Sequence, residues 1–328
     1  MTQLFAHPDV EDYFVEHHVD AGSLTSGVGS KVADDFANER LILIRGFRFD
    51  ADLKFLQSLS FLQKWRWKKL AVTRFQSVPE YRRRFDAEIV EFVADVFGND
   101  WGRFDYFLAQ ASAVNEQTAR LVEALFSAYR FQQRHIIWRF TETRVENLHF
   151  DVDRNCDDLE LVRLYVNLDD VPRIWYTAGT FSTVSETYYE SLGLSRFKGQ
   201  SNDALLKRLD TGAFGDWNHR GRDTVPRHLV LFEPGDIWIV DGRRVSHQVM
   251  YGRRVVSTLF VAGPDGIPDP AKTFAQSVAV LHERMAQGIQ RPRAVAHSLV
   301  RQSKNKLDLR ASWEELPDHI RQESLIRL

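Results

Sequence analysis

The feature that most constrains this chain is a series of short segments between residues 228 and 262, each closed by a turn signal. His228–Phe232 ends at Glu233-Pro234-Gly235-Asp236, and Asp236–Val240 ends at Asp241-Gly242. Val245–Met250 ends at Tyr251-Gly252, and Arg254–Ala262 follows. β-Branched and aromatic residues fill the segments, while glycine, proline and aspartate separate them. Strands at this regular spacing read as an all-β sandwich or barrel. His135–Phe140, Glu146–Phe150, Leu159–Asn167 and Arg173–Tyr176 have the same texture.

The first 130 residues read mostly as helix. Asp9–Val19, Ser30–Glu39 and Ala51–Phe61 have helix-compatible spacing, and Leu41–Gly46 reads as a strand. Pro79 opens a predicted long helix through Val96, with Gly98 as its stop. In Ala113–Tyr129, Val114, Leu121, Val122, Leu125 and Phe126 form one apolar stripe, and Thr118 is its one polar position. Ala204–Leu209 is a helical insertion, followed by a Gly- and Arg-rich loop over Thr211–Arg227, and Ala271–Gln287 is a further helix. The expected organisation is a helical layer over 1–130, a β core over 131–265 with an insertion near 180–227, and a helical extension over 266–328.

Composition excludes several classes. The chain has 328 residues, enough for a sizeable core without staples. Cys156 is the single cysteine, so a disulfide framework or multi-cysteine metal site is out, and a reducing compartment is expected. The 43 basic and 45 acidic residues leave a net charge of −2, against bulk electrostatic binding of nucleic acid. No apolar run reaches the roughly 18–20 residues of a membrane span. Met1–Asp9 lacks the layout of a signal peptide. The expected location is cytoplasmic, with the inner-membrane surface as an alternative. The mixed aromatic and cationic stretch Phe61–Lys69 reads as an amphipathic helix edge or as a peripheral membrane contact.

The chemistry rests on Leu148-His149-Phe150-Asp151. On a strand, residues i and i+2 share a face, so His149 and Asp151 present an imidazole and a carboxylate to one point. His247, in Val245-Ser246-His247-Gln248-Val249, completes a two-histidine, one-carboxylate set. Such a facial triad leaves three positions open on non-haem Fe(II), as needed when a bidentate cosubstrate and O₂ bind together. A 2-oxo acid also needs a basic fork for its far carboxylate. Arg163 stands among the apolar residues Leu161, Val162, Leu164 and Val166, where an unpaired guanidinium would be costly. Arg253 and Arg254, at the start of the last strand, are the other candidates.

The order of HxD, turn, strand and distal histidine resembles that of double-stranded β-helix dioxygenases. More specifically, His149-Phe150-Asp151, Val162–Asn167, Pro172–Trp175, Trp238-Ile239, Val245–His247 and Met250–Gly252 resemble the Fe(II)/2-oxoglutarate-dependent Kdo hydroxylase family. The similarity spans roughly residues 130–265. It implies a mainly β core with α additions, a double-stranded β-helix (jelly-roll, cupin-like) flanked by N- and C-terminal helices. It also implies a hydroxylase using Fe(II), 2-oxoglutarate and O₂ on the Kdo (3-deoxy-D-manno-oct-2-ulosonic acid) sugar of a lipopolysaccharide precursor. His149, Asp151 and His247 would hold the metal, with no further catalytic acid or base. Arg163 is the favoured 2-oxoglutarate anchor, Arg254 the runner-up, and Trp175 a wall near the cosubstrate.

Arg220, Arg222, Arg227, Arg243 and Arg244 lie in predicted mouth loops, and an acidic sugar or phosphorylated glycolipid would match them. Of these, Arg222, Arg227 and Arg243 are taken as substrate residues. Val152-Asp153-Arg154 and Cys156-Asp157-Asp158 depart from the family pattern, which adds Asp153 as a substrate candidate. That departure keeps open the same chemistry on an amino acid or natural product. A non-catalytic β-barrel binding protein and a zinc lyase or isomerase are rivals of other classes.

Overall fold

The computed structural model describes residues 2–19, 26–60, 69–70, 72–139, 147–152, 156–215 and 225–289. The N-terminal part holds β1 (Gln3–Phe5), β2 (Phe14–His18), α1 (Ser26–Ala37), β3 (Leu41–Arg45), α2 (Leu53–Ser58) and β4 (Lys69–Leu70). Helices α3 (Val72–Ser77), α4 (Glu80–Arg83), α5 (Ala87–Phe97) and α6 (Trp101–Leu125) follow. Strands β5 (Phe131–Arg139), β6 (Glu160–Asn167) and β7 (Arg173–Thr177) precede α7 (Phe181–Tyr188) and α8 (Asn202–Leu209). Last come β8 (His228–Phe232), β9 (Ile237–Val240), β10 (Gln248–Tyr251), β11 (Val255–Ala262) and α9 (Phe274–Ala286). One sheet has the order β1-β8-β7-β10 and the other β2-β3-β9-β6-β11-β5-β4.

Alternation along β6 shows how the layers form. Val162, Leu164 and Val166 enter a cluster with Val114, Leu121 and Val122 of α6. Tyr165, on the opposite face, joins Trp175, Val230 and Phe232 of the smaller sheet and Trp238 of its own. The period of two thus gives β6 a helix-facing side and a sheet-facing side. Arg163 shares the face of Tyr165, so it lies between the sheets.

The helical layer follows its caps. Asp86 accepts hydrogen bonds from the amides of Glu88 and Ile89, and Gly98 ends α5 in the left-handed region at φ 60°. The long helix expected from Pro79 is therefore divided, because Asp86 starts a new one. Helix α6 begins earlier than its stripe suggested, with Asp100 accepting from Arg103 N–H. Thr118 is buried on the stripe at no polar cost, since its hydroxyl donates to the Val114 carbonyl at 2.7 Å. The helix expected over Asp9–Val19 is overturned: Phe14–His18 is a strand, parallel to β3. Leu41–Arg45 in turn pairs with β9, so a strand early in the sequence extends the large sheet. Among the described residues no helix is long and apolar enough to cross a membrane.

The C-terminal helix is locked on by buried charge. Arg244, 1% exposed, donates to both Glu160 carboxylate oxygens at 3.1 and 3.0 Å and to the Lys272 carbonyl at 2.9 Å. Glu160 also accepts the first amide of α9, from Phe274, at 2.6 Å. Glu160→Gln leaves Arg244 short of a buried counter-charge. It should cost about 3–5 kcal/mol of folding stability, measured as the shift in urea unfolding relative to wild type.

Candidate metal centre

Two backbone features build the centre. His149 and His247 face each other across an antiparallel bridge, with amide-to-carbonyl bonds of 3.0 and 2.8 Å in the two directions. Their rings are held 4.5 Å apart, centroid to centroid. Two residues on, Asp151 N–H donates to the Gly242 carbonyl at 2.8 Å, which returns the carboxylate to the same face. Nε2 of each histidine then lies 3.8 Å from Asp151 Oδ1. One donor atom from each of the three falls within 4.8 Å of the others, spacing that suits a single metal ion.

The protonation pattern fits ligands. His149 Nδ1 sits 2.7 Å from the Asn147 carbonyl and His247 Nδ1 3.2 Å from the Val245 carbonyl. A carbonyl only accepts, so each Nδ1 carries the proton and each Nε2 keeps its lone pair for a metal. Burial, then the neighbouring His149, pushes His247 down to about 4, so its ring is neutral near pH 7. Burial alone would raise the Asp151 carboxyl, but Arg163 first, then His247 and His149, draw it well below the usual carboxylate range. Asp151 Oδ1 is the oxygen that faces both histidines, while Oδ2 is buried and turned toward Arg163.

Around the centre, Trp175 stacks on His247 at 5.1 Å and 24°, and its indole N–H is buried without a hydrogen-bond partner among the described residues. Tyr165 stacks on Trp238 at 5.2 Å and meets Trp175 edge-on. Arg163 Nε lies 3.4 Å from Asp151 Oδ2. Arg163 and Trp175 are thus both beside the triad. Arg254 is not: its guanidinium is taken by Asp169 at 2.7 Å and the Leu59 carbonyl at 2.8 Å. Arg253 is bound to the same Asp169.

The mouth arginines also require correction. Arg243, 2% exposed, is forked onto Asp241, donates to the Cys156 carbonyl and covers the Phe274 ring. Arg227, 7% exposed, donates to Gln248 at 2.8 Å and lies over the Tyr176 ring. Tyr176 and Gln248 pair in register on the face of β7 and β10 opposite to Trp175, so Arg227 lies behind the small sheet. Both guanidinium groups thus have partners within the fold, as buried cations require. Arg220, Arg222 and Asp153 lie outside the described residues, as do residues 61–68 of the aromatic and cationic stretch.

Two residues escaped the sequence reading. Arg139 ends β5 on the face opposite Ile136 and Trp138, and it acts electrostatically on both Asp151 and Tyr165. Its Nε is buried with no hydrogen-bond partner among the described residues. The signal was the alternation in Ile136–Arg139, which puts a charge on the inner face. The second is Gly242, which reads as a turn residue. A Cβ there would stand 2.1 Å from Asp151 Oδ2 and 2.6 Å from its Cγ. Gly242→Ala should therefore displace the carboxylate and cost about tenfold or more in affinity for Co(II), on the scale of a lost charged contact. Titration calorimetry reads the loss, and an unchanged far-ultraviolet circular dichroism spectrum shows that the fold survives.

No family model matches the chain, and no curated protein matches it in sequence. Solved structures do match in shape. The apo structure of the Kdo hydroxylase KdoO, a non-heme Fe(II) alphaketoglutarate dependent dioxygenase, aligns at a TM-score of 0.56 and 15% identity, covering 88% of this chain and 100% of that one. Its cobalt(II) complex aligns at 0.55 and 17%, covering 90% and 100%. The complex with alphaketoglutarate and Fe(III) aligns at 0.52 and 16%, covering 84% and 96%. The chain has the fold of these Kdo hydroxylase structures, and on that fold it carries a histidine–aspartate–histidine set fit for a metal.

Proposed function

We propose that this protein is an Fe(II)- and 2-oxoglutarate-dependent oxygenase that hydroxylates an unactivated C–H bond, with the Kdo sugar of a lipopolysaccharide precursor as substrate. The observation that carries the reading is the convergence of two histidine Nε2 atoms and one ionised carboxylate within 4.8 Å. The fold shared with KdoO supports it. In this reading the facing sheets form a double-stranded β-helix, and the helices lie outside it.

With iron, 2-oxoglutarate and O₂ bound, the centre supplies oxidising power, converting the oxo acid to succinate and CO₂ while one oxygen atom enters the substrate. The chain's own groups set this up. His149, Asp151 and His247 would hold the metal. Arg163 keeps Asp151 ionised and faces the cosubstrate. Trp175 fixes the His247 ring and walls the space.

Arg139 supplies a second cation. In register, Arg163 opposes Leu259 and Arg139 opposes Val255, with the Tyr165–Ser257 pair between them. Four residues of strand and the width of β11 separate the two positions, about 16 Å of backbone. Two inward-reaching guanidinium side chains shorten that gap to the scale of a five-carbon dicarboxylate. Arg163 would then meet the metal-side end of 2-oxoglutarate, and Arg139 its far carboxylate.

The same chemistry on an amino acid or natural product stays in view for one reason. Arg227 and Arg243 are committed within the fold, which leaves an acidic sugar without those two partners.

The test is anaerobic loading with Fe(II) and 2-oxoglutarate, then O₂, with and without a Kdo-containing glycolipid. Succinate release and a mass gain of one oxygen are expected. No metal-dependent succinate at all would favour a binding protein instead. Asp151→Ala and His247→Ala should each abolish succinate release and weaken Fe(II) binding. Arg139→Met and Arg163→Met should each raise the Kd for 2-oxoglutarate by about ten- to a hundredfold, the loss of a charged hydrogen bond. Arg254→Met, by contrast, should leave that Kd unchanged by calorimetry.

A further inference from the structure

With Arg227 and Arg243 committed elsewhere, the question is which described surface near the centre meets the substrate. We propose that the substrate docks in the cleft between the metal-bearing segment 147–152 and the turn that follows α8. There Lys207 grips one anionic group of a small hydroxylated molecule. The identity of what is oxidised rests on the functional reading above; the cleft itself does not.

The cleft has a volume of about 360 Å³. Its near wall includes His149, Asp151 and Val152, and its far wall Lys207, Asp210 and Thr211. The size is at the small end of ligand cavities, roughly 300–1,000 Å³, and suits a single sugar-sized unit rather than a polymer. The two ligands that line the cleft are the more exposed members of the triad. The side chains of His149 and Asp151 are 12% and 21% exposed, against 7% for His247, which does not line the cleft.

The far wall is locally unusual. Asp210–Phe214 is a π-helical turn added to the end of α8. Such wide turns are rare and recur at functional sites. Here the turn brings the Asp210 carboxyl to the backbone N–H of Phe150 at 2.8 Å. Phe150 lies between the two ligands of the near wall, so this bond ties the walls together at a fixed separation.

Lys207 is exposed at the rim, and no carboxylate pairs with its ammonium among the described residues. A lysine ammonium acts as a compact point charge, suited to one carboxylate or phosphate. The Thr211 hydroxyl donates to the Lys207 carbonyl at 2.8 Å, which fixes its orientation and leaves its lone pairs for a donor. Together with the Asp210 carboxyl, it offers oxygen contacts to hydroxyl groups. One cation and several oxygen acceptors describe a singly anionic, hydroxyl-bearing ligand.

The test is calorimetry on the full chain loaded with Co(II) and 2-oxoglutarate, without O₂. The three probes are Kdo, glucose 6-phosphate and glucose. At least one anionic sugar should bind, with glucose about tenfold weaker or worse. The anionic sugar that binds tells whether the group is a carboxylate or a phosphate. Lys207→Glu and Lys207→Met should each lose about tenfold of that affinity, and Lys207→Arg should keep most of it. Thr211→Trp, which fills the cleft, should abolish binding. Co(II) titration of every variant reports that the fold and centre survive. Binding of neither anionic sugar, equal binding of glucose, or affinity unchanged in Lys207→Glu and Thr211→Trp would overturn the proposal. Succinate release by the wild type, measured separately, judges the oxygenase reading, so the two can fail independently.

Discussion

The structure depends on a buried ion network in the loop between β9 and β10. Asp241 holds Arg243 at 2.7 Å and faces Arg244 at 3.6 Å, and Arg244 is forked onto Glu160. Taking these charges out of water is expensive, and the pairing of both arginines with Asp241 and Glu160 offsets that cost. The rigid loop that results carries Gly242, whose carbonyl receives the Asp151 amide, and leads into His247. The same network clamps α9 onto the start of β6 through Glu160 and the Phe274 amide. Metal geometry and C-terminal packing are thus consequences of one arrangement.

Charge between the sheets follows a second logic. Asp151 is surrounded by cationic groups, Arg163 nearest, with Arg139 further off, and Tyr165 feels Arg163, Arg139 and Arg173. An interior this positive, with a divalent metal added, is balanced by an anionic cosubstrate. Beneath it the aromatic rings of Tyr165, Trp175, Phe232 and Trp238 form a close-packed floor, with Phe232 and Trp238 stacked at 4.0 Å. Packed rings leave few rotamers, so Trp175 holds the His247 ring above them in one orientation.

Much of this was legible in the chain. His149 and Asp151 of the HxD and the distal His247 do converge, through a single β-bridge and the Asp151–Gly242 bond rather than along a full strand, and the apolar setting of Arg163 pointed to a buried role. Most β segments after residue 130 are where their composition placed them, but among the described residues of Glu146–Phe150 only the isolated His149–His247 bridge forms, and the strand expected from Val245 begins at Gln248. The failures were local. Asp9–Val19 has spacing that suits helix, but Phe14–His18 gains more as a strand along β3 than an isolated amphipathic turn could. The helix expected from Pro79 was cut by a cap whose signal, Asp86 before Ala87-Glu88, looks like any exposed acid.

Sequence by itself determined which residues have the chemistry and which faces they share, because side-chain identity and the period of two along a strand are local properties. It marked His149 and Asp151 as a pair, named His247 and Arg163, and limited the chain to a β core with helical additions. Tertiary structure alone decided which arginines were available. Arg227, Arg243 and Arg254 look like Arg163 in one dimension, yet Gln248, Asp241 and Asp169 capture them, from 21, 2 and 85 residues away. A guanidinium is satisfied by whatever acceptor the fold brings near, and for Arg227 and Arg254 that nearness is set by sheet register and packing, whereas Arg243 is taken by a neighbour in its own turn.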